Sequence, residues 1–267
     1  MTADRTIRIS LLVYLALIFA FIFTPILASL VFSFNSDRFP SLPLGSFTLH
    51  WYQTVLSRPE ILEAARTSVI VAVCSAVLST FIGFCTAYTD FRYNFLFKNA
   101  YLALALLPPT IPLIIMALAM LSWLAQIGLS GQVTSIIISH TVLGAPFAMA
   151  VIRLRLNDMD PSLEAASWNL GASEWRSMWE VVIPFTKPAI VAALCLTAAV
   201  SFDEFAVAWF VSGLNKTVPV VILEILQGNV DPQINAIGTF VFFVSMTLII
   251  VAQALLMSQN RKKDASA

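Results

Sequence analysis

Asp203 and Glu204 stand side by side inside an apolar run, and carboxylates in such a setting mark routes for ions and charged solutes. An isolated charge at the centre of a membrane-crossing helix costs about 2.5–3.5 kcal/mol on insertion scales, so two adjacent acids do not face lipid. They lie some sixteen residues past Lys187, roughly 24 Å along a helix at ~1.5 Å per residue, in the outer half of the run. Neighbouring helical residues point about 100° apart, so at most one acid faces a central path squarely, and Asp203 is preferred. A cation would be stabilised there. The alternative is a structural carboxylate, hydrogen-bonded to a neighbouring span or to a partner subunit. Phe202 and Trp209 offer rings for cation–π contact with an ammonium group, or serve only as packing. Glu224 is ambiguous, and His140 reads as a buried neutral histidine rather than a proton relay.

The longest polar stretch, residues 153–188, holds the remaining chemistry. Asp160 suits an N-cap and Pro161 a first helical position. Leu163, Ala166 and Leu170 then share one face, and Gly171 can take the positive φ that stops a helix. Ser173 caps a second helix, with Trp175, Met178, Trp179 and Val182 along one side until Pro184. The stretch is predicted to form two short helices joined at a glycine elbow. Ala165 and Ala166 are small enough for another surface to approach closely, and Trp168, Trp175 and Trp179 are rigid anchors of the kind favoured at interfaces. These residues alone leave open whether the pair packs on its own bundle or meets a partner.

Other catalytic patterns are missing. The sequence has no Gly-x-x-x-x-Gly-Lys-Ser/Thr phosphate loop, so the chain is not expected to bind ATP itself. It has no His-Glu-x-x-His and no Gly-x-Ser-x-Gly, and its two histidines make a metal-dependent membrane enzyme unlike this chain. Cys74, Cys85 and Cys195 lie in apolar runs without the spacing of a disulfide framework or a zinc site. The net charge is zero, so no basic field invites nucleic acid.

The elements that must position these residues are set by composition. Of 267 residues 59% are hydrophobic and 11% charged, and the mean hydropathy is +0.86. Soluble domains carry roughly 25% charged residues, so the chain reads as one integral membrane unit over 1–267. Crossing ~30 Å of hydrocarbon takes about 20 apolar residues. Six runs qualify: Ile9–Phe32, Arg66–Thr89, Asn99–Ala125, Gln132–Ile152, Pro188–Val211 and Ile234–Met257. They are too long and too continuously apolar for barrel strands, so the fold class is all-α. The first run lacks the features of a cleaved signal. Pro108, Pro109 and Pro112 interrupt the third run, and Gly144-Ala145-Pro146 the fourth. Broken helices suit a transporter or channel, although Pro is also simply common in membrane helices.

Orientation follows from Lys and Arg. Arg5, Arg8, Arg92, Lys98, Arg153, Arg155, Arg176, Lys187 and Arg261–Lys263 fall on one side, against Arg38, Arg58, Arg66 and Lys216 on the other. The excess puts both termini and the 153–187 loop in the cytoplasm. The outer segments, 33–65 and 212–233, include Phe39-Pro40-Ser41-Leu42-Pro43 and an interfacial anchor at Trp51-Tyr52. The tail from Asp264 to Ala267 is expected to fray.

Glu164-Ala165-Ala166, three residues, Gly171, nine residues and Val181-Val182-Ile183-Pro184 resemble the EAA loop of bacterial ABC importer permeases. The family pattern is EAA, three residues, Gly, nine residues, Ile-x-Leu-Pro, and the spacing here is intact with two mild apolar swaps. The resemblance implies that the loop docks on a separate ATP-hydrolysing subunit through Glu164, Ala165, Ala166 and Gly171, with Leu170, Ala172 and Ser173 at the edge. Ser33-Phe34-Asn35-Ser36, Trp51-Tyr52, Ser201-Phe202-Asp203-Glu204-Phe205 and Phe210-Val211-Ser212-Gly213 look like the permease subunits for spermidine and putrescine.

What the resemblance implies is a non-catalytic, multi-pass subunit of the bacterial cytoplasmic (inner) membrane. It would work with a second permease subunit, a pair of ATP-binding subunits that use ATP and Mg, and a periplasmic or other extracytoplasmic solute-binding protein. Lipid surrounds it, and no cofactor is expected on this chain. The alternatives are an ABC permease for an amino-acid-like compound, a metal or an anion, or a self-sufficient channel or carrier.

Overall fold

The computed structural model of the chain describes residues 2–37, 43–228 and 232–264. Arg38, the Phe39–Leu42 part of the proline-rich stretch and the last three residues of the tail lie outside them. Among the described residues the regular structure is helical. Five helices are long and apolar enough to cross a membrane: Thr6–Phe32, Pro59–Arg92, Val133–Asn157, Glu174–Asp203 and Gln233–Ala254. The fold is therefore all-α and polytopic.

The third expected span, 99–125, is not one helix. It is delivered by α4 (Lys98–Ala105), a 3-10 turn (Pro108–Thr110) and α5 (Leu113–Gln126). Pro108, Pro109 and Pro112 lack the N–H groups that would carry one helix through. The expected interruption of the fourth span does not occur, since α6 (Val133–Asn157) runs unbroken through Pro146. α6 is packed by neighbours along much of its length, and an apolar surrounding offers its backbone no better partner than the helix itself. Pro184 likewise fails to stop a helix. α8 (Glu174–Ser177) passes through a π-helical turn (Met178–Val182) into α9 (Ile183–Asp203), so the missing N–H falls where the hydrogen-bond register already shifts. The fifth expected span, 188–211, ends early. α9 stops at Asp203, and a separate short helix, α10 (Ala206–Val211), completes the run.

The residues group into two compact units, Met1–Ile61 with Ile222–Phe242, and Leu62–Val221 with Phe243–Ala267. In the first, α1 (Thr2–Phe32) exposes most of its apolar side chains, as a span bathed in lipid does. A small lobe follows it. Asn35 and Phe47 form a single antiparallel bridge, Trp51 Nε1 donates to Asn35 O at 2.7 Å, and the Ser33 and Tyr52 hydroxyls meet at 2.7 Å. The Trp51-Tyr52 pair, which opens α2 (His50–Ser57), is thus tied to the Ser33–Ser36 turn as well as suited to an interface.

In the second unit, the part of α3 (Pro59–Arg92) from Leu62 onward packs with α6 and α9. Two apolar clusters hold it. One gathers Val71, Met116, Leu124, Ile136, Val207 and Val211, the other Ala87, Met149, Ile152, Leu156 and Val182. Along α3, Ser75 and Ser79 fall between Val71 and Ala87, and both donate across to neighbouring helices, Ser75 Oγ to Ser201 Oγ at 2.9 Å and Ser79 Oγ to Thr141 O at 3.2 Å. Small residues let the helix backbones touch. A Cβ at Gly83 would lie 2.6 Å from Met149 N and 2.7 Å from Ala148 Cβ. Gly83→Leu is expected to force α3 off α6 and to cost about 1–3 kcal/mol or more. Melting of the detergent-extracted protein checks this: an unchanged midpoint would refute the close crossing.

Candidate functional site

The 158–183 elbow forms largely from local chemistry. Asp160 Oδ1 accepts the Ser162 N–H at 2.9 Å, which holds its carboxyl below the usual range and starts α7 (Ser162–Asn169). Gly171 takes φ +88°, and Gly171 N and Ala172 N donate back to Trp168 O and Ser167 O at 2.8 and 3.0 Å. Ser173 Oγ accepts from Arg176 N at 3.3 Å to start α8. The Ser167 and Ser177 hydroxyls, 2.8 Å apart, brace the two arms. The open side of this elbow carries Ala165, Ala166, Gly171, Ser173, Trp175 and Trp179, with Leu170 90% exposed, while Ala172 is half-buried. Leu163, Leu170, Trp175 and Trp179 are all exposed on this one elbow, and several large apolar side chains left open together are a feature of contact surfaces.

Glu164 points the other way. It is 3% exposed, accepts from Tyr88 Oη at 2.9 Å and lies 3.8 Å from Arg92 Nε. The Arg92 guanidinium sits 4.4 Å above the Trp168 ring. Beside this group, Asp90 is buried, with Arg153 Nε at 2.5 Å and Lys98 Nζ at 3.3 Å. Tyr88 and Asp90 are absent from the residues singled out by sequence, and Arg92 entered there only as one of the charges that set the orientation. Their signal was the polar close of the second span, with Tyr88 and Arg92 spaced i, i+4 on one helix face.

The two acids lie at the far end of the continuous helix Glu174–Asp203, whose 30 residues make roughly 45 Å at ~1.5 Å per residue. The helix ends between them. Asp203 is the last residue of α9, exposed on the chain surface, and accepts from Ser245 Oγ at 2.8 Å. Glu204 is extended, with φ −74° and ψ 121°, and its carboxylate turns back onto α10. It accepts from Val207 N at 3.0 Å and Ala208 N at 3.1 Å, and Oε2 lies 3.3 Å from His140 Nε2, an ion-pair distance without hydrogen-bond alignment. The Glu204 side chain is 9% exposed. Phe202 is buried and Trp209 packs against the first apolar cluster, so the structure turns neither ring to an open path. His140 is buried, with Nδ1 2.8 Å from Ser201 Oγ.

The electrostatics of the two carboxylates are opposite. A helix C-terminus carries roughly −0.5 of an elementary charge, so Asp203 adds a carboxylate to an already negative end. Glu204 instead meets the unpaired N–H groups that open a helix. Asp203 is the acid left wanting a cation.

Residues 79–264 match the family described as the binding-protein-dependent transport system inner membrane component. The chain is 29% identical over 248 residues to the spermidine/putrescine transport system permease protein PotC of Haemophilus influenzae, covering 92% of this chain and 96% of that protein. It is 30% identical over 243 residues to PotC of Escherichia coli, covering 91% and 92%. Its fold is also that of a chain in the crystal structure of a bacterial alginate ABC transporter in complex with an alginate pentasaccharide-bound periplasmic protein, with a TM-score of 0.73, 17% identity, and 94% and 93% of the two chains covered.

Proposed function

Because the chain belongs to the inner membrane components of binding-protein-dependent transport systems, we propose that it is a permease subunit of an ATP-driven importer of polyamines such as spermidine and putrescine. The observation that carries the cargo is the likeness to spermidine/putrescine permeases along almost the whole of both chains. The exposed Asp203 carboxylate at a helix C-terminus supports it, since a polycation is the ligand such a site stabilises.

In this reading the elbow lies in the cytoplasm and docks on an ATP-hydrolysing partner through Ala165, Ala166, Leu170, Gly171, Ala172 and Ser173. Glu164 fastens α7 to Tyr88 and Arg92 of α3, so motion of the elbow is passed to a span. The helix Glu174–Asp203 joins the elbow to the acid by one rod. Closure of a paired ATPase around ATP and Mg moves the elbow and rocks the spans. A solute-binding protein delivers the polyamine into a path shared with a second permease subunit, where Asp203 meets it.

Reconstitution tests the proposal. Proteoliposomes holding the permeases and the ATPase, given the binding protein, are expected to take up spermidine only with internal ATP. Transport by this chain alone, or a complete system whose ATPase ignores spermidine, would overturn it.

A further inference from the structure

The two adjacent acids are held by different parts of the protein, and only one is free to meet a solute. Glu204 spends both carboxylate oxygens on Val207 N and Ala208 N. Behind it His140 stands at 3.3 Å, and His140 is itself linked to Ser201 at 2.8 Å, and Ser201 to Ser75 at 2.9 Å. This chain of groups runs from α3 through α9 and α6 to the start of α10, all buried except the Glu204 carboxylate's thin edge. No Gly or Pro lies between Phe202 and Ala208, so backbone preference does not explain why α9 ends at Asp203. The carboxylate of Glu204 does: by capping Val207 and Ala208 it supplies the partners that a continuous helix would have taken from its own carbonyls.

We propose that Glu204 and His140 are positioning residues that fix the break between α9 and α10, so that Asp203 alone is presented to the cation. The inference rests on the polyamine reading only for its transport readout. The lock sets the hydrogen-bonded Glu204 cap against a buried imidazole in a low-dielectric setting, where losing bonds to a charged group is costly. Its removal frees residue 204 and the start of α10 to rewind, and the end of α9 that carries Asp203 loses its fixed setting.

The test uses the complete transporter in nanodiscs or proteoliposomes, with two readouts. Glu204→Gln keeps an oxygen for Val207 N and Ala208 N, Glu204→Leu removes the cap, and His140→Leu keeps the cap but removes the buried imidazole behind it. For spermidine uptake, Glu204→Gln is expected to leave KM within about twofold of the parent, His140→Leu to raise it a few fold and Glu204→Leu by about tenfold or more, because Asp203 is no longer held in place for the cation. Asp203→Asn raises KM at least as far. Hydrogen exchange of the peptide holding Val207 and Ala208 is expected to speed up about tenfold or more in Glu204→Leu and little in Glu204→Gln. If Glu204→Gln raises KM as Asp203→Asn does, Glu204 meets the cation and the proposal falls. Equal exchange in Glu204→Leu and the parent also overturns it. A parent protein without spermidine uptake would refute the cargo while the exchange readout still judged the lock.

Discussion

Gly171→Trp is expected to abolish ATP-driven uptake and its coupling to ATP hydrolysis while the protein still accumulates in the membrane. The residue holds φ +88°, where a non-glycine residue is strained by about 1–2 kcal/mol. That cost is local, because a Cβ there meets no atom of this chain within 4 Å. The indole therefore projects outward from the elbow, beside Leu170 and over the surface proposed to seat the ATPase. Bulk at the centre of a docking surface separates the partners far more than it disturbs either one. Gly171→Ala divides the effect, since it carries the backbone strain without the ring and is expected to keep partial uptake. Uptake and substrate-stimulated ATP hydrolysis in vesicles, normalised to permease in the membrane fraction, decide the matter. Wild-type uptake by Gly171→Trp would remove the elbow from the docking surface.

Local chemistry in this chain was readable, and tertiary consequences were not. Asp160, Gly171 and Ser173 act within a few residues of themselves, and each does in the structure what its capping role predicts. Pro108–Pro112 likewise break their span through missing donors. Pro146 and Pro184 obey the same rule in isolation, yet packing in one case and a π turn in the other carry the helix through. Glu164 shows the limit differently. Its spacing marked it as part of the elbow, but only the arrival of Tyr88 and Arg92 from α3 decides that its carboxylate faces inward. The break between Asp203 and Glu204 had no punctuating residue at all. It depends on His140, sixty-odd residues away in sequence, and on backbone N–H groups that exist only once α10 has formed.

Asp203→Asn is expected to raise the KM for spermidine by roughly 10- to 150-fold, the equivalent of losing about 1.5–3 kcal/mol of charge-assisted interaction. The substitution is nearly isosteric, and the asparagine Oδ1 still accepts from Ser245 Oγ, so the end of α9 keeps its place. Only the charge is removed, at a helix terminus whose own dipole gives an ammonium a weaker substitute. The effect should therefore fall on KM more than on kcat, because a cation held before and during passage loses binding uniformly. It should also be larger for spermidine, with three amines, than for a monoamine probe that uses one contact. Uptake of labelled spermidine at graded concentrations, with the binding protein in excess, measures it. An unchanged KM would show that the cation passes elsewhere, and an ATPase stimulated only by anions would show that the carboxylate at the end of α9 is structural after all.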